Sequence, residues 1–202
     1  MPFLEVLDLT KWCAERGINI IVDESFVDFT QDYAHNSLLH NNILETNTNL
    51  MVMKSISKSY GVPGLRLGIF ASSNTNLIAT MKKDVAIWNI NSFAEFYLQI
   101  FNKYEKNYFE ACEKFVAERE RFRNNLQKVG FLRVIPSQAN YFLCEVTSRF
   151  SSAELTHILL TKHNILIQDC GTKAAFANRN YIRIAVRDTA DNDTLLQALL
   201  SL

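Results

Sequence analysis

Residues 18–26, INIIVDESF, make a nearly continuous apolar, β-branched run that stops on two acids. A run of this kind is expected of a parallel strand buried on both faces. LMVMKSIS (50–57) and LRLGIFAS (65–72) read as two more strands. Ahead of them, residues 4–16 place Leu4, Leu7, Leu9, Trp12 and Cys13 on roughly one helical face, with Gly17 as a natural stop. One helix followed by three such strands predicts an α/β layer.

The stretch 95–128 reads as one long helix that bridges two lobes. Phe101, Tyr108, Phe115 and Phe122 recur every seven residues, with Leu98, Cys112 and Leu126 near the same seam. A stripe at that spacing is read as packing rather than as an aromatic cofactor box. After Gly130, short strands at 131–135, 140–146, 165–168 and 181–186 alternate with amphipathic helices near 152–163 and 191–201, the pattern of a smaller α+β lobe. No repeat, low-complexity stretch or flexible linker interrupts the chain.

Charge excludes some functions. Lysine plus arginine equals aspartate plus glutamate, 21 of each. The zero net charge gives no electrostatic case for nucleic acid or an anionic membrane, and it favours association through an apolar face. No apolar run approaches the roughly 20 residues that span a bilayer. The start lacks a basic region and a small-residue cleavage site. Cys13, Cys112, Cys144 and Cys170 lie far apart, without the spacing of a zinc site or a disulfide framework, so a reducing cytoplasm is expected and no metal.

Asp23 and Glu24 end a predicted buried strand, and ligands of open α/β sheets bind at the carboxyl ends of strands. The same acids also suit a solvated strand end. Lys58 follows another strand; a lone lysine there is ordinarily a loop charge. Its neighbours argue otherwise. Ser55 and Ser57 offer hydroxyls, Gly61 and Gly64 allow tight backbone geometry, and Arg66 supplies a fork for phosphate oxygens. The spacing matches neither the Walker loop nor the dinucleotide fingerprint.

The segment Ser55 to Gly68 carries S-x-S-K-x-x-G-x-x-G-x-R-x-G, with IIVDESFVDF upstream and PSQANYFL (136–143) and YIRIAVRD (181–188) downstream. On these motifs the chain resembles the fold-type I, pyridoxal-phosphate-dependent aminotransferases of class I/II, nearest the histidinol-phosphate aminotransferase and threonine-phosphate decarboxylase branch. The resemblance runs over essentially the whole chain. It implies a C-terminal portion of that fold: residues 1–95 from the large cofactor-binding domain with a mainly parallel sheet, 96–128 a connecting helix, and 129–202 a small α+β domain. It makes Lys58 the Schiff-base lysine and proton shuttle, and Asp23 the partner of the pyridine nitrogen. Ser55, Ser57 and Arg66 become phosphate ligands. Arg183 becomes the clamp on the substrate carboxylate, and Asn140 a residue near the substrate, although a buried asparagine that satisfies backbone is an equal reading. His35, His40, His157 and His163 match no motif.

Two departures matter. Phe26 stands where many aminotransferases have a tyrosine whose hydroxyl bonds the cofactor, and it can pack but not donate. Arg187, on the face of Arg183 and Ala185 if the strand continues, offers a second cation for a phosphate or carboxylate, or else is a surface charge. The family's N-terminal half has no counterpart in these 202 residues, which predicts apolar strand faces and a sheet edge left uncovered. The implied activity is amino-group transfer between an amino acid or amino phosphate ester and a 2-oxo acid, in a homodimer. A threonine-phosphate-decarboxylase-like lyase, or a non-catalytic fragment, are the alternatives.

Overall fold

The computed structural model describes residues 1–176 and 179–202. They form two compact units that divide between Cys112 and Glu113.

In the first unit, α1 (Phe3–Ala14) ends as expected at Gly17, whose φ of +66° is left-handed and suits a residue without Cβ. Its inward face differs from the expected one. Phe3, Val6 and Leu7 pack on the sheet and Thr10 and Cys13 are buried, while Leu4 is 70% exposed and Trp12 49% exposed. The Thr10 hydroxyl is absorbed by the Val6 carbonyl, 2.8 Å away, which lets a polar side chain hold an inward position. Asn49 then ties the helix to the sheet by donating to the carbonyls of Thr10 and Ile18.

The sheet order is β1 (Ile20–Asp23), β2 (Leu50–Ser55), β3 (Gly68–Ser72). Between β1 and β2 lie a 3-10 turn at Val27–Phe29 and two short helices, α2 (Tyr33–Asn36) and α3 (Asn41–Thr46). β1 and β2 run parallel, but β2 and β3 pair antiparallel, so the sheet is mixed rather than mainly parallel. A parallel pairing needs a crossover of a dozen or more residues, usually a helix. Residues 56–67 hold only a 3-10 turn, Pro63–Leu65, and return the chain directly. β1 is an edge strand with Ile21 57% exposed; the strand buried on both faces is not found, and the uncovered edge is.

α4 (Thr75–Asp84) and α5 (Ser92–Phe101) start on asparagine caps, Asn74 and Asn91, which accept the N–H of Leu77 and Ala94. The single long helix is in fact α5 and then α6 (Glu105–Leu126). Two tight turns break it, where Lys103 and Tyr104 donate to the carbonyls of Ile100 and Phe101. The break lets the rings of Phe101 and Tyr108 both reach Tyr60, at 5.3 and 4.1 Å between centroids. Farther along the seam, Phe122 and Leu126 are fully buried in the second unit. From Phe101 to Leu126 the stripe is packing, whereas Leu98 is 46% exposed.

The second unit, Glu113–Leu202, follows the sequence closely. β4 (Leu132–Val134), β5 (Tyr141–Val146), α7 (Ser152–His163), β6 (Gln168–Asp169), β7 (Tyr181–Ala185) and α8 (Thr189–Leu200) build an antiparallel sheet of order β4-β5-β7-β6 with helices packed on it. β5 and β7 alternate strictly, Phe142, Cys144 and Val146 facing inward against Ile182 and Ile184. A reciprocal Ser151–Glu154 capping box starts α7 and Asp188 caps α8, each worth about 1 kcal/mol.

Candidate active site

The parallel register pairs Asp23 with Met53, which sets the carboxyl ends of β1 and β2 side by side. Ser25 fastens them. Its backbone N–H donates to Asp23 Oδ1 at 2.8 Å, and its Oγ accepts the Ser55 N–H at 3.0 Å. The hydrogen bonds from Ser25 hold the Asp23 carboxyl below its ordinary value, and the Lys58 charge nearby adds to this. Asp23 is thus ionised, exposed and fixed. Its neighbour Glu24 turns the other way: it is buried and accepts from Ser37 Oγ and the Leu38 N–H. Burial pushes its carboxyl up in spite of those bonds.

Lys58 is exposed in the turn after β2. Its Nζ lies 4.1 Å from the Phe26 ring centroid, a cation–π contact that uses the ring in place of a hydroxyl. Among the described residues Nζ makes no hydrogen bond or ion pair. Ser55 Oγ accepts the Ser57 N–H at 3.3 Å, and the N–H of Gly61, at φ +67°, donates to the Lys58 carbonyl. The Ile56 N–H bonds the Leu67 carbonyl, which carries the β2–β3 pairing on toward Arg66. Arg66 is exposed, left-handed at φ +58°, and donates to the Pro63 carbonyl at 3.1 Å. That backbone state costs a residue with a Cβ about 1 kcal/mol. Asp23, Phe26, Ser55, Ser57, Lys58 and Arg66 are therefore gathered at one sheet end.

The other three candidates lie in the second unit. Arg183 is on the exposed face of β7 with its guanidinium over the Tyr141 ring, 5.2 Å from the centroid. Asn140 precedes β5, and its carbonyl accepts the Val186 N–H at 2.9 Å. Arg187 lies past the end of β7, exposed, with Nε 2.5 Å from Asp191 Oδ2. That contact engages Nε, and the remaining guanidinium N–H groups can still donate to an anion.

Four participants escaped the sequence reading. Ser25 is one. Behind the lysine turn, Lys54 and Asp28 form a buried ion pair, Nζ to Oδ1 2.6 Å, and Ser59 Oγ donates to Asp28 Oδ2 at 2.7 Å. The signal was available: Lys54 continues the inward register of Leu50 and Val52, where a charge needs a partner.

The family profile of "Aminotransferase class I and II" matches residues 1–199. The chain belongs to that family. It is 31% identical to the CMP-5'-(3-aminopropyl)phosphonate synthase of Streptomyces rubellomurinus over 89% of this chain and 28% of that protein. It is likewise 31% identical to the L-serine phosphate decarboxylase of Sulfurospirillum multivorans, over 91% of this chain and 47% of that one. Among solved structures, the histidinol-phosphate aminotransferase from Clostridium acetobutylicum superposes with a TM-score of 0.82 at 32% identity, covering 98% of this chain and 57% of that one. The chain spans about half the length, or less, of the curated relatives it matches. The family's cofactor is pyridoxal phosphate. The residues present fit it: an exposed primary amine without a hydrogen-bond or ion-pair partner among the described residues, an ionised carboxylate beside it, and two hydroxyls and a guanidinium nearby.

Proposed function

We propose that this aminotransferase-family chain carries the lysine-bearing half of a pyridoxal-phosphate site that acts at the α-carbon of a phosphate-bearing amino acid, and that the bond broken is the one to the carboxylate. The observation that supports cofactor binding is the clasp of Asp23, Ser25 and Ser55 beside the Lys58 amine, which makes no hydrogen bond or ion pair among the described residues. Lys58 would hold the cofactor through Nζ, Asp23 at its ring nitrogen, and Ser55, Ser57 and Arg66 at its phosphate, with Phe26 packed alongside. Bound pyridoxal phosphate supplies an electron sink conjugated to the substrate α-carbon.

The chain's own residues do the rest. Asp23, kept ionised by Ser25, would be the carboxylate that accepts a hydrogen bond at the cofactor's ring nitrogen. Lys58 Nζ, when it is not bound to the cofactor, would be the acid that delivers a proton to the α-carbon in place of the departed carboxylate. Arg183 presents a planar fork that suits a carboxylate, and Arg187, through the N–H groups that Asp191 does not engage, suits a phosphate.

Decarboxylation is favoured by the likeness to an L-serine phosphate decarboxylase over nine-tenths of the chain and by Phe26, which removes a hydroxyl that many aminotransferases use. Amino-group transfer to a 2-oxo acid is the second reading, supported by the likeness to a histidinol-phosphate aminotransferase. The test uses the natural polypeptide that carries these residues, with pyridoxal phosphate and carboxyl-labelled O-phosphoserine or O-phosphothreonine. Release of labelled CO₂ without any 2-oxo acid is expected. Turnover only when 2-oxoglutarate is added, with the label retained, overturns decarboxylation in favour of transfer.

A further inference from the structure

The ion pair behind the lysine turn is an odd thing to bury. Asp28 and Lys54 side chains are 5% and 9% exposed, and Lys54 follows Leu50 and Val52, both at 0%, on the inward side of β2. An apolar pair of similar volume would be as stable or more so at such a site. Stability alone does not account for it.

Its hydrogen bonds suggest what does. Lys54 occupies Asp28 Oδ1, which leaves Oδ2 to accept from Ser59 Oγ at 2.7 Å. Tyr60, next in the chain, sets its ring over Lys54 at 6.0 Å and stacks on Tyr108 at 4.1 Å and 12°. The Tyr108 hydroxyl is buried near Ser59 and Tyr60 and makes no hydrogen bond that meets ordinary geometry among the described residues. The two residues after Lys58 are therefore anchored to the buried pair. On the near side, Ser25 holds the Ser55 N–H, and Ser55 Oγ holds the Ser57 N–H. Lys58 is the exposed side chain between two anchored segments.

We infer that Asp28 and Lys54, acting through Ser59, are positioning residues for Lys58: the buried pair fixes the far side of the turn and so aims Nζ at the Asp23 end of the sheet. Asp28 also follows Phe26 by two residues within the turn whose Phe29 N–H bonds the Phe26 carbonyl, so one carboxylate steadies both Lys58 and the ring beside it. This rests on the cofactor reading of Lys58 given above.

The test compares the wild-type protein with Ser59→Ala, Ser59→Thr and the apolar double variant D28L/K54M. Pyridoxal phosphate is added, the adduct is fixed with borohydride, and the labelled lysine is located and its rate of labelling measured by mass spectrometry. Visible circular dichroism per bound cofactor reports orientation before reduction. Wild type and Ser59→Thr are expected to label Lys58 at equal rates. Ser59→Ala and D28L/K54M are expected to label it about tenfold more slowly, with weaker visible ellipticity and an unchanged far-ultraviolet spectrum. Wild-type rates and ellipticity in both variants overturn the positioning role while leaving the cofactor reading intact. Absence of label on Lys58 in the wild type overturns the cofactor reading, and the inference with it.

Discussion

The two compact units are held by different physics. The second has one contiguous apolar core running from Phe122 and Leu126 through both inner strands to Leu199. The first has two small clusters, around Leu50 and Val52 and around Ile56 and Leu67, and its most constrained segment is ordered by polar bonds. Exposure follows the same division. Among the described residues, the large exposed hydrophobics of the second unit are Leu160, Leu166 and Leu200, whereas the first unit exposes Ile87 at 95% and Trp88 at 91%. A region shaped to hold a lysine at a sheet end has its order concentrated there rather than spread through a core.

Breaking the polar pair tests this most severely. Asp28→Asn leaves the Lys54 ammonium buried and unpaired, and is expected to cost about 3–5 kcal/mol, whereas D28L/K54M is expected to be neutral or stabilising. Both tryptophans, Trp12 and Trp88, lie in the first unit, so urea unfolding followed by fluorescence reads that unit separately. If Asp28→Asn costs no more than a surface change, the first unit is not organised as described.

The matching change in the second unit is Leu155→Ala, fully buried in its core, with an expected cost of about 2–5 kcal/mol. Circular dichroism should show it, with the fluorescence transition unmoved. A joint shift of both signals would mean that the units unfold as one.

Acid separates the units more gently. Glu118 accepts from Arg121, Asn192 and Thr189, with the Arg121 contacts dominant, and its carboxyl is held down at about 2. A depressed carboxyl contributes stability above its ordinary value of 4.5, and that contribution is lost as pH falls toward about 2. Glu24 has the opposite sign: raised by burial, it favours the folded state below the ordinary glutamate range and loses that contribution as pH rises through its folded value. Glu118→Gln should flatten the acid limb of the second unit and leave that of the first unchanged, as read by amide exchange against pH. Smallest of all, Trp88→Ser should change stability by less than about 0.5 kcal/mol. Its effect should appear instead as weaker dye binding and lower light scattering.

The sequence was most legible where one force decides. In the second unit, strict alternation at Phe142, Cys144 and Val146 and a serine cap at Ser151 leave little choice, and the expected strands lie within a few residues of those found. In the first unit, competing forces hid the outcome. A hydroxyl satisfied by its own helix put Thr10 inward in place of Leu4. The direction of β3 depended on residues 56–67 lacking a crossover helix, and the break at 102–104 on a ring, Tyr60, more than 40 residues away. The motif pointed to Asp23, Ser55, Ser57, Lys58 and Arg66, which the structure places at one sheet end, because the turn and strand ends that carry them are set locally. Asp28 and Lys54 stayed hidden because each gains its meaning from a partner 26 residues distant.

The buried thiols have a practical consequence. Cys13 lies in the first unit and Cys144 in the second, both buried, and Cys144 is pushed up to about 12 by its apolar surroundings. Neither reacts readily with an alkylating agent while its unit stays closed. Each thiol is therefore a timer that runs only when its own unit opens, and the order in which the two are capped records which half of the molecule breathes first.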